Sequence, residues 1–241
     1  MSQPEADSTP HSSAPCDYRG IYRAGGIASV LMLLVILVQI VVYVIWPPPS
    51  TVEGLFALFR ESWLLGLLSL DLLYIISNTL LVPMYMAFSA ALRKVNFSAA
   101  VLALVLGVVR VAAYYPSNPS FEMLSLSAGY ASATTEVQRN ILLASGQAML
   151  AIYKGTTFNV YYILNAIALL MFSFFMLRAR VFSRATAIMG LLAGVLMAIP
   201  STAGAIGKVF ALLSLVPWFV FTALAARTFF QFGRQADGGV S

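Results

Sequence analysis

Apolar positions in this chain gather into six long stretches, 24–46, 63–92, 98–115, 157–177, 185–204 and 209–226. Each is close to the ~20 residues that cross ~30 Å of hydrocarbon at ~1.5 Å per residue. Lipid offers backbone N–H and C=O groups no partner, so each stretch must satisfy its own as a helix. The pattern predicts an all-α fold: a polytopic membrane protein, its residues 18–235 forming a bundle of six transmembrane helices whose first partner is the lipid bilayer.

Between the stretches an amphipathic spacing returns. Trp46-Pro47-Pro48-Pro49 stops the first span, and Val52, Leu55, Phe56, Leu58 and Phe59 then follow a helical period beside Glu53, Arg60 and Glu61. After the third span, Asn118 and Pro119 predict a helix start carrying Phe121, Leu124 and Tyr130. Thr135 with Gln138 three residues on predicts another, presenting Val137, Ile141, Ala144, Ala148 and Ile152 on one face. These short amphipathic helices are expected on the outer face, as a cap over the bundle.

Charge sets the threading. The net charge of +5 invites an acidic partner, but nine of the fourteen basic residues (Arg19, Arg23, Arg93, Lys94, Arg178, Arg180, Arg184, Arg227 and Arg234) fall in alternate gaps. The positive-inside rule places those gaps, and both termini, in the cytoplasm. The other side holds Arg60, Arg110, Arg139, Lys154 and Lys208 against Glu53, Glu61, Asp71, Glu122 and Glu136, a balance near zero. The charge therefore reports topology, and no nucleic-acid partner is expected. A composition with 60% hydrophobic and 10% charged residues, against about 25% charged in soluble domains, leaves a water-soluble reading nowhere to put its apolar surface.

Residues 1–17, rich in Ser, Pro and Ala with Glu5, Asp7 and Asp17, read as a disordered cytoplasmic tail, and 236–241 as a flexible C-terminal one. The N-terminal segment lacks a basic region followed by an apolar one, so no cleavage is expected there. The only histidine, His11, and the only cysteine, Cys16, both lie in it. The bundle is thereby denied His-ligated haem or metal, Fe–S clusters, disulfides and His-assisted nucleophiles. No phosphate-cradling glycine loop is present either. No metal, cofactor or catalytic residue is expected, and Lys154 and Lys208, near span ends, read as snorkelling anchors.

Two spans share landmarks. Tyr74, Asn78 and Arg93 recur 87 residues later as Tyr161, Asn165 and Arg180, and Leu81-Val82-Pro83 is echoed by Leu215-Val216-Pro217. Read as a repeat, this implies three helical hairpins about a common centre. Residues four apart share a helix face, so Tyr74, Asn78, Tyr161 and Asn165 are candidates for an outward-opening polar pocket between spans two and four, rimmed by Asn159 and Tyr162. Interhelical hydrogen bonding alone is the plainer use of the same residues. A charge in the span region is costly when unpaired, so Asp71 and Arg110 are expected to pair near the outer boundary, with Glu122 as the alternative partner. Gly190 and Gly194 serve either packing within the bundle or contact with a second copy.

The words Asp71-Leu72-Leu73-Tyr74, Ser117-Asn118-Pro119, Ala133-Thr134-Thr135-Glu136, Gly155-Thr156-Thr157-Phe158-Asn159-Val160, Met176-Leu177-Arg178, Phe182-Ser183-Arg184-Ala185-Thr186 and Leu213-Ser214-Leu215-Val216-Pro217 together resemble a family of bacterial six-span integral membrane proteins catalogued as a domain of unknown function. The resemblance covers nearly everything after the tail. It implies six helices in a bacterial plasma (inner) membrane and supplies no catalytic residue or substrate; Arg110 lies outside those words. Three function classes stand in order: a non-enzymatic membrane partner or regulatory protein, acting on another membrane protein or as a homo-oligomer; a transporter or binder of a small molecule or lipid; and an enzyme with an outer-face carboxylate site.

Overall fold

The computed structural model describes residues 18–235, so both expected tails, with His11 and Cys16, lie outside the described residues. Ten helices follow in order among the described residues: α1 (Arg19–Ile45), α2 (Val52–Glu61), α3 (Trp63–Ser69), α4 (Leu72–Leu92), α5 (Phe97–Tyr114), α6 (Ser120–Ser132), α7 (Glu136–Tyr153), α8 (Thr156–Ala179), α9 (Arg184–Leu196) and α10 (Gly204–Gln235), with one 3₁₀ turn at Tyr115–Ser117. No strand occurs among them. Five of the described helical segments are long and apolar enough to cross a membrane: Arg19–Ile45, Leu72–Leu92, Phe97–Ser132, Glu136–Ala179 and Gly204–Gln235. The chain is an all-α, multi-pass membrane protein.

Two of the six expected spans are corrected. The run 63–92 would be ~45 Å long as one helix, well beyond a bilayer core, and it breaks after α3, where Asp71 takes a left-handed conformation with φ 63°. The carbonyls freed by the break are satisfied by side chains. Gln39 donates to Leu68 O at 3.3 Å, while Asn118 and Ser120 both donate to Leu70 O at 2.8 Å. The run 185–204 yields only the 13-residue α9, ~20 Å long, because Pro200 disfavours helix at the residue before it; turns carry the chain from there into α10.

Six helices close a ring. α1 packs on α4, α4 on α5, α5 on α8, α8 on α9, α9 on α10 and α10 back on α1, while α4 also touches α8 across the middle. Toward the end that carries Arg93, Lys94, Arg178, Arg180 and Arg184, the centre is filled by Phe88, whose ring lies 4.9–5.6 Å from those of Phe172, Phe182, Phe221 and Phe229. That basic end is plugged, so polar groups at the centre sit on the cap side of the plug. Gly190 and Gly194 face into this ring. A Cβ on Gly190 would come within 2.8 Å of Phe221 Cε2, and one on Gly194 within 2.8 Å of Leu170 Cγ, so both glycines serve packing inside one bundle.

The cap has its own core of Val52, Leu55, Phe56, Phe59, Leu67, Leu70 and Met123 from α2, α3, the joint between α3 and α4, and α6. The start expected at Thr135 is present, where Thr135 accepts from Gln138 N at 3.2 Å and Gln138 Oε1 accepts from Thr134 N at 3.1 Å. The one expected at Asn118 and Pro119 falls a residue later, α6 beginning at Ser120, whose N–H donates to Asn118 Oδ1 at 3.1 Å, and Thr51 caps α2. The face expected to seat α7 is the wrong one. Val137 and Ile141 are 68% and 60% exposed, and the helix instead turns Leu143, Gly146 and Leu150 inward. Gly146 decides this, because a Cβ there would sit 2.5 Å from Val52 Cγ1, tighter than packed side chains allow.

Candidate functional site

Arg110 is the most informative side chain in the bundle. It lies 13 residues into α5, while Asn78 and Asn165 lie 14 residues before the ends of α4 and α8. At ~1.5 Å per residue all three stand ~20 Å above the basic end, and the structure brings them together. Arg110 is 2% exposed. Its Nη1 donates to Asn165 Oδ1 at 2.9 Å and to Tyr85 Oη at 3.2 Å, and its Nη2 donates to Asn78 Oδ1. The guanidinium lies 4.6 Å from the ring centroid of Tyr161, a cation–π contact.

The acceptors are themselves held in place. Asn78 donates its amide to Tyr74 O at 2.8 Å, which turns Oδ1 toward Arg110, and Asn165 donates to Met197 Sδ at 3.2 Å with the same effect. Tyr85, fully buried and stacked on Phe172, also donates to Asn165 Oδ1 at 3.1 Å. Room for its ring comes from Gly107, one turn before Arg110, where a Cβ would lie 2.7 Å from Tyr85 Cε2. Gly107→Ala is expected to lower stability by about 1–3 kcal/mol, as overpacking does, and to displace the Tyr85 hydroxyl from Arg110. A thermal melt in nanodiscs checks the first effect.

The expected Asp71–Arg110 pair does not form. Asp71 accepts from Tyr43 on α1 and Tyr153 on α7, because the left-handed break turns its carboxylate toward the junction of bundle and cap. Glu122, the alternative partner, is exposed. Every polar group bonded to Arg110 is neutral, and its Nε, also buried, has no partner among the described residues. A charge in hydrocarbon costs at least about 2.5–3.5 kcal/mol, and three neutral acceptors with one ring face offset only part of that.

Beside Arg110 lies a cavity of about 60 Å³. Tyr74, Asn78, Tyr161 and Asn165 line it together with Arg110, and Tyr74 and Tyr161 bond hydroxyl to hydroxyl at 2.6 Å. Residues 87 apart in sequence thus meet as a pair, and the two asparagines at the same offset share one arginine. The opposite wall is apolar, with Met32 and Ile36 from α1 and Leu215 and Trp218 from α10. Asn159 and Tyr162, expected at the rim, do not line it. Asn159 accepts from Thr202 at 2.6 Å, and Tyr162 packs edge-on against Tyr161 with ring centroids 5.4 Å apart.

A second cavity of about 310 Å³ lies nearer the cap, lined by Asp71, Tyr153, Lys154, Phe158, Thr202 and Lys208. Asp71 precedes Tyr74 by three residues and Phe158 precedes Tyr161 by three, so the two cavities are one helical turn apart, separated by the Tyr74–Tyr161 pair. Lys154 and Lys208, expected as snorkelling anchors, are exposed and also line this cap-side chamber. Sequence reasoning missed Arg110 as a partner of the asparagines, although the equal distances of all three from the basic boundary carried that signal. No group of His, Cys, Asp or Glu among the described residues is arranged to hold a metal ion. The chain matches no family model, no curated protein and no solved structure.

Proposed function

We propose that this protein binds a small anion at Arg110 inside the membrane and acts as a carrier or receptor for it. One observation carries the reading: a fully buried guanidinium with no acidic partner among the described residues, a free Nε and a cavity beside it. Buried charges are paired in stable folds, and here the pair is completed by a ligand. The outer chamber supports the same reading, since two lysines against one aspartate raise the local concentration of anions at its mouth, and the Tyr74–Tyr161 pair separates mouth from site. We place the protein in a bacterial inner membrane with both termini cytoplasmic, on the strength of the nine basic residues at one end and the resemblance to six-span bacterial proteins.

Trp218 lines the cavity, and the other two tryptophans, Trp46 and Trp63, are exposed. In a Trp46→Phe, Trp63→Phe protein in nanodiscs, Trp218 emission is expected to change saturably as sodium chloride, acetate or phosphate is added at constant ionic strength. A response that is absent or strictly linear for all three overturns the proposal.

A partner or regulatory role has one observation in its favour, the outward stripe of Val137, Ile141 and Ile152 on α7. An interfacial helix floating in lipid headgroups uses such a stripe equally well, so the buried arginine is the more specific guide.

A further inference from the structure

We infer that the ligand of the Arg110 cavity is a monocarboxylate of about two to four carbons, its carboxylate on Arg110 and its alkyl tail against α1 and α10. This rests on the anion reading above and narrows it.

Charge is the first argument. Arg110 is the only cation among the residues lining the cavity, so a monoanion brings the site to neutrality, whereas sulfate or phosphate dianion would leave a net negative charge in a low-dielectric interior. Donor geometry is the second. Three of the five N–H groups of Arg110 donate to Asn165, Tyr85 and Asn78, which leaves its Nε and one Nη2 proton without a partner among the described residues. The bond between Tyr74 and Tyr161 uses one of their two hydroxyl protons, and the other remains to donate to a ligand. Donors left over on the guanidinium and on the tyrosine pair can supply the two oxygens of a carboxylate.

The third argument is the division of the walls. The groups that bond Arg110 and each other lie on α4, α5 and α8, while Met32, Ile36, Leu215 and Trp218 face them from α1 and α10. Chloride or nitrate would leave that apolar half without a complement, whereas a short alkyl tail fills it. Size agrees. A water needs about 10–15 Å³ of this kind of volume, so 60 Å³ holds roughly four to six water-sized groups. Acetate, propanoate and butanoate have four, five and six non-hydrogen atoms.

The test uses the full chain in nanodiscs and follows thermal stabilisation against concentration for sodium acetate, propanoate, butanoate, hexanoate, nitrate, chloride and sulfate at fixed ionic strength. Affinity is expected to rise roughly 3–4-fold per methylene from acetate to butanoate, the value of one buried CH₂. It should then fall at hexanoate, with nitrate and chloride at least tenfold weaker than butanoate. Leu215→Ala is expected to move the length optimum one or two carbons longer, a change in ranking that mere loss of packing would not produce. Nitrate, chloride or sulfate equalling butanoate overturns the carboxylate assignment and leaves the anion site standing. Stabilisation by none of the seven salts overturns both.

Discussion

Replacing Arg110 with glutamine is expected to abolish anion binding while leaving the ligand-free protein as stable as before, or slightly more so. The two effects have separate causes. In the empty site the guanidinium is a desolvated charge held by neutral acceptors, and glutamine can donate to Asn78 or Asn165 without that penalty. A buried charge that no opposite charge compensates carries a desolvation cost of several kcal/mol, and a neutral side chain of similar length does not. With ligand present, the lost charge-assisted contact is of the kind that costs about 2–5 kcal/mol, equivalent to an affinity loss of roughly 30-fold or more. Melting curves of both proteins with and without 50-fold excess of sodium butanoate separate the terms. An Arg110→Gln protein that is several degrees less stable without ligand would mean that the arginine is structural glue for Asn78, Asn165 and Tyr85, and the site would lose its claim to a ligand. The expected pattern, stability traded for function, is common at binding sites.

Asp71→Ala is expected to lower stability by about 3 kcal/mol or more, because it combines two penalties. Alanine in the left-handed conformation at φ 63° costs about 1–2 kcal/mol, and the hydroxyls of Tyr43 and Tyr153 lose the carboxylate to which they donate. Asp71→Asn supplies a side chain that tolerates the left-handed backbone and keeps one acceptor, so that exchange should cost less than half as much. Tyr43→Phe measured in the wild-type and Asp71→Ala backgrounds isolates the pair. A substantial penalty in the first and almost none in the second is the result expected of a direct bond. Equal penalties in both would mean that Tyr43 contributes packing alone, and that the joint between α3 and α4 is held by Gln39, Asn118 and Ser120 without help from the carboxylate.

Much of this architecture was legible along the chain. Runs of apolar residues near the length of a bilayer crossing require helices in any environment without water, so the all-α, multi-pass class follows from composition and length. The cap at Thr135 depends on a residue three positions on, and the shared landmarks at Tyr74 and Tyr161 survive as a hydrogen-bonded pair. The break at Asp71 was less visible. Asp tolerates the left-handed region but does not demand it, and the carbonyls it frees are satisfied from α1 and from the start of α6, far away in sequence. The seating of α7 was misread because that helix is apolar on two faces, and only Gly146, lying against Val52 and Phe56, selects between them.

The partner of Arg110 was a different kind of miss. Reasoning from charge sends an arginine in search of an acid, and Asp71 is the nearest in the counting of turns. Depth alone, about 20 Å above the basic boundary for Arg110, Asn78 and Asn165 alike, pointed to the asparagines. Distance along helix axes is a one-dimensional quantity that a sequence states directly. Rotation about those axes is not, because helices apolar on nearly every side carry no periodic stripe to orient them. Closure of six helices into a ring, with α5 turned so that its one charge faces α4 and α8, is what made a cavity beside a single arginine out of residues that could equally have served as isolated interhelical bonds.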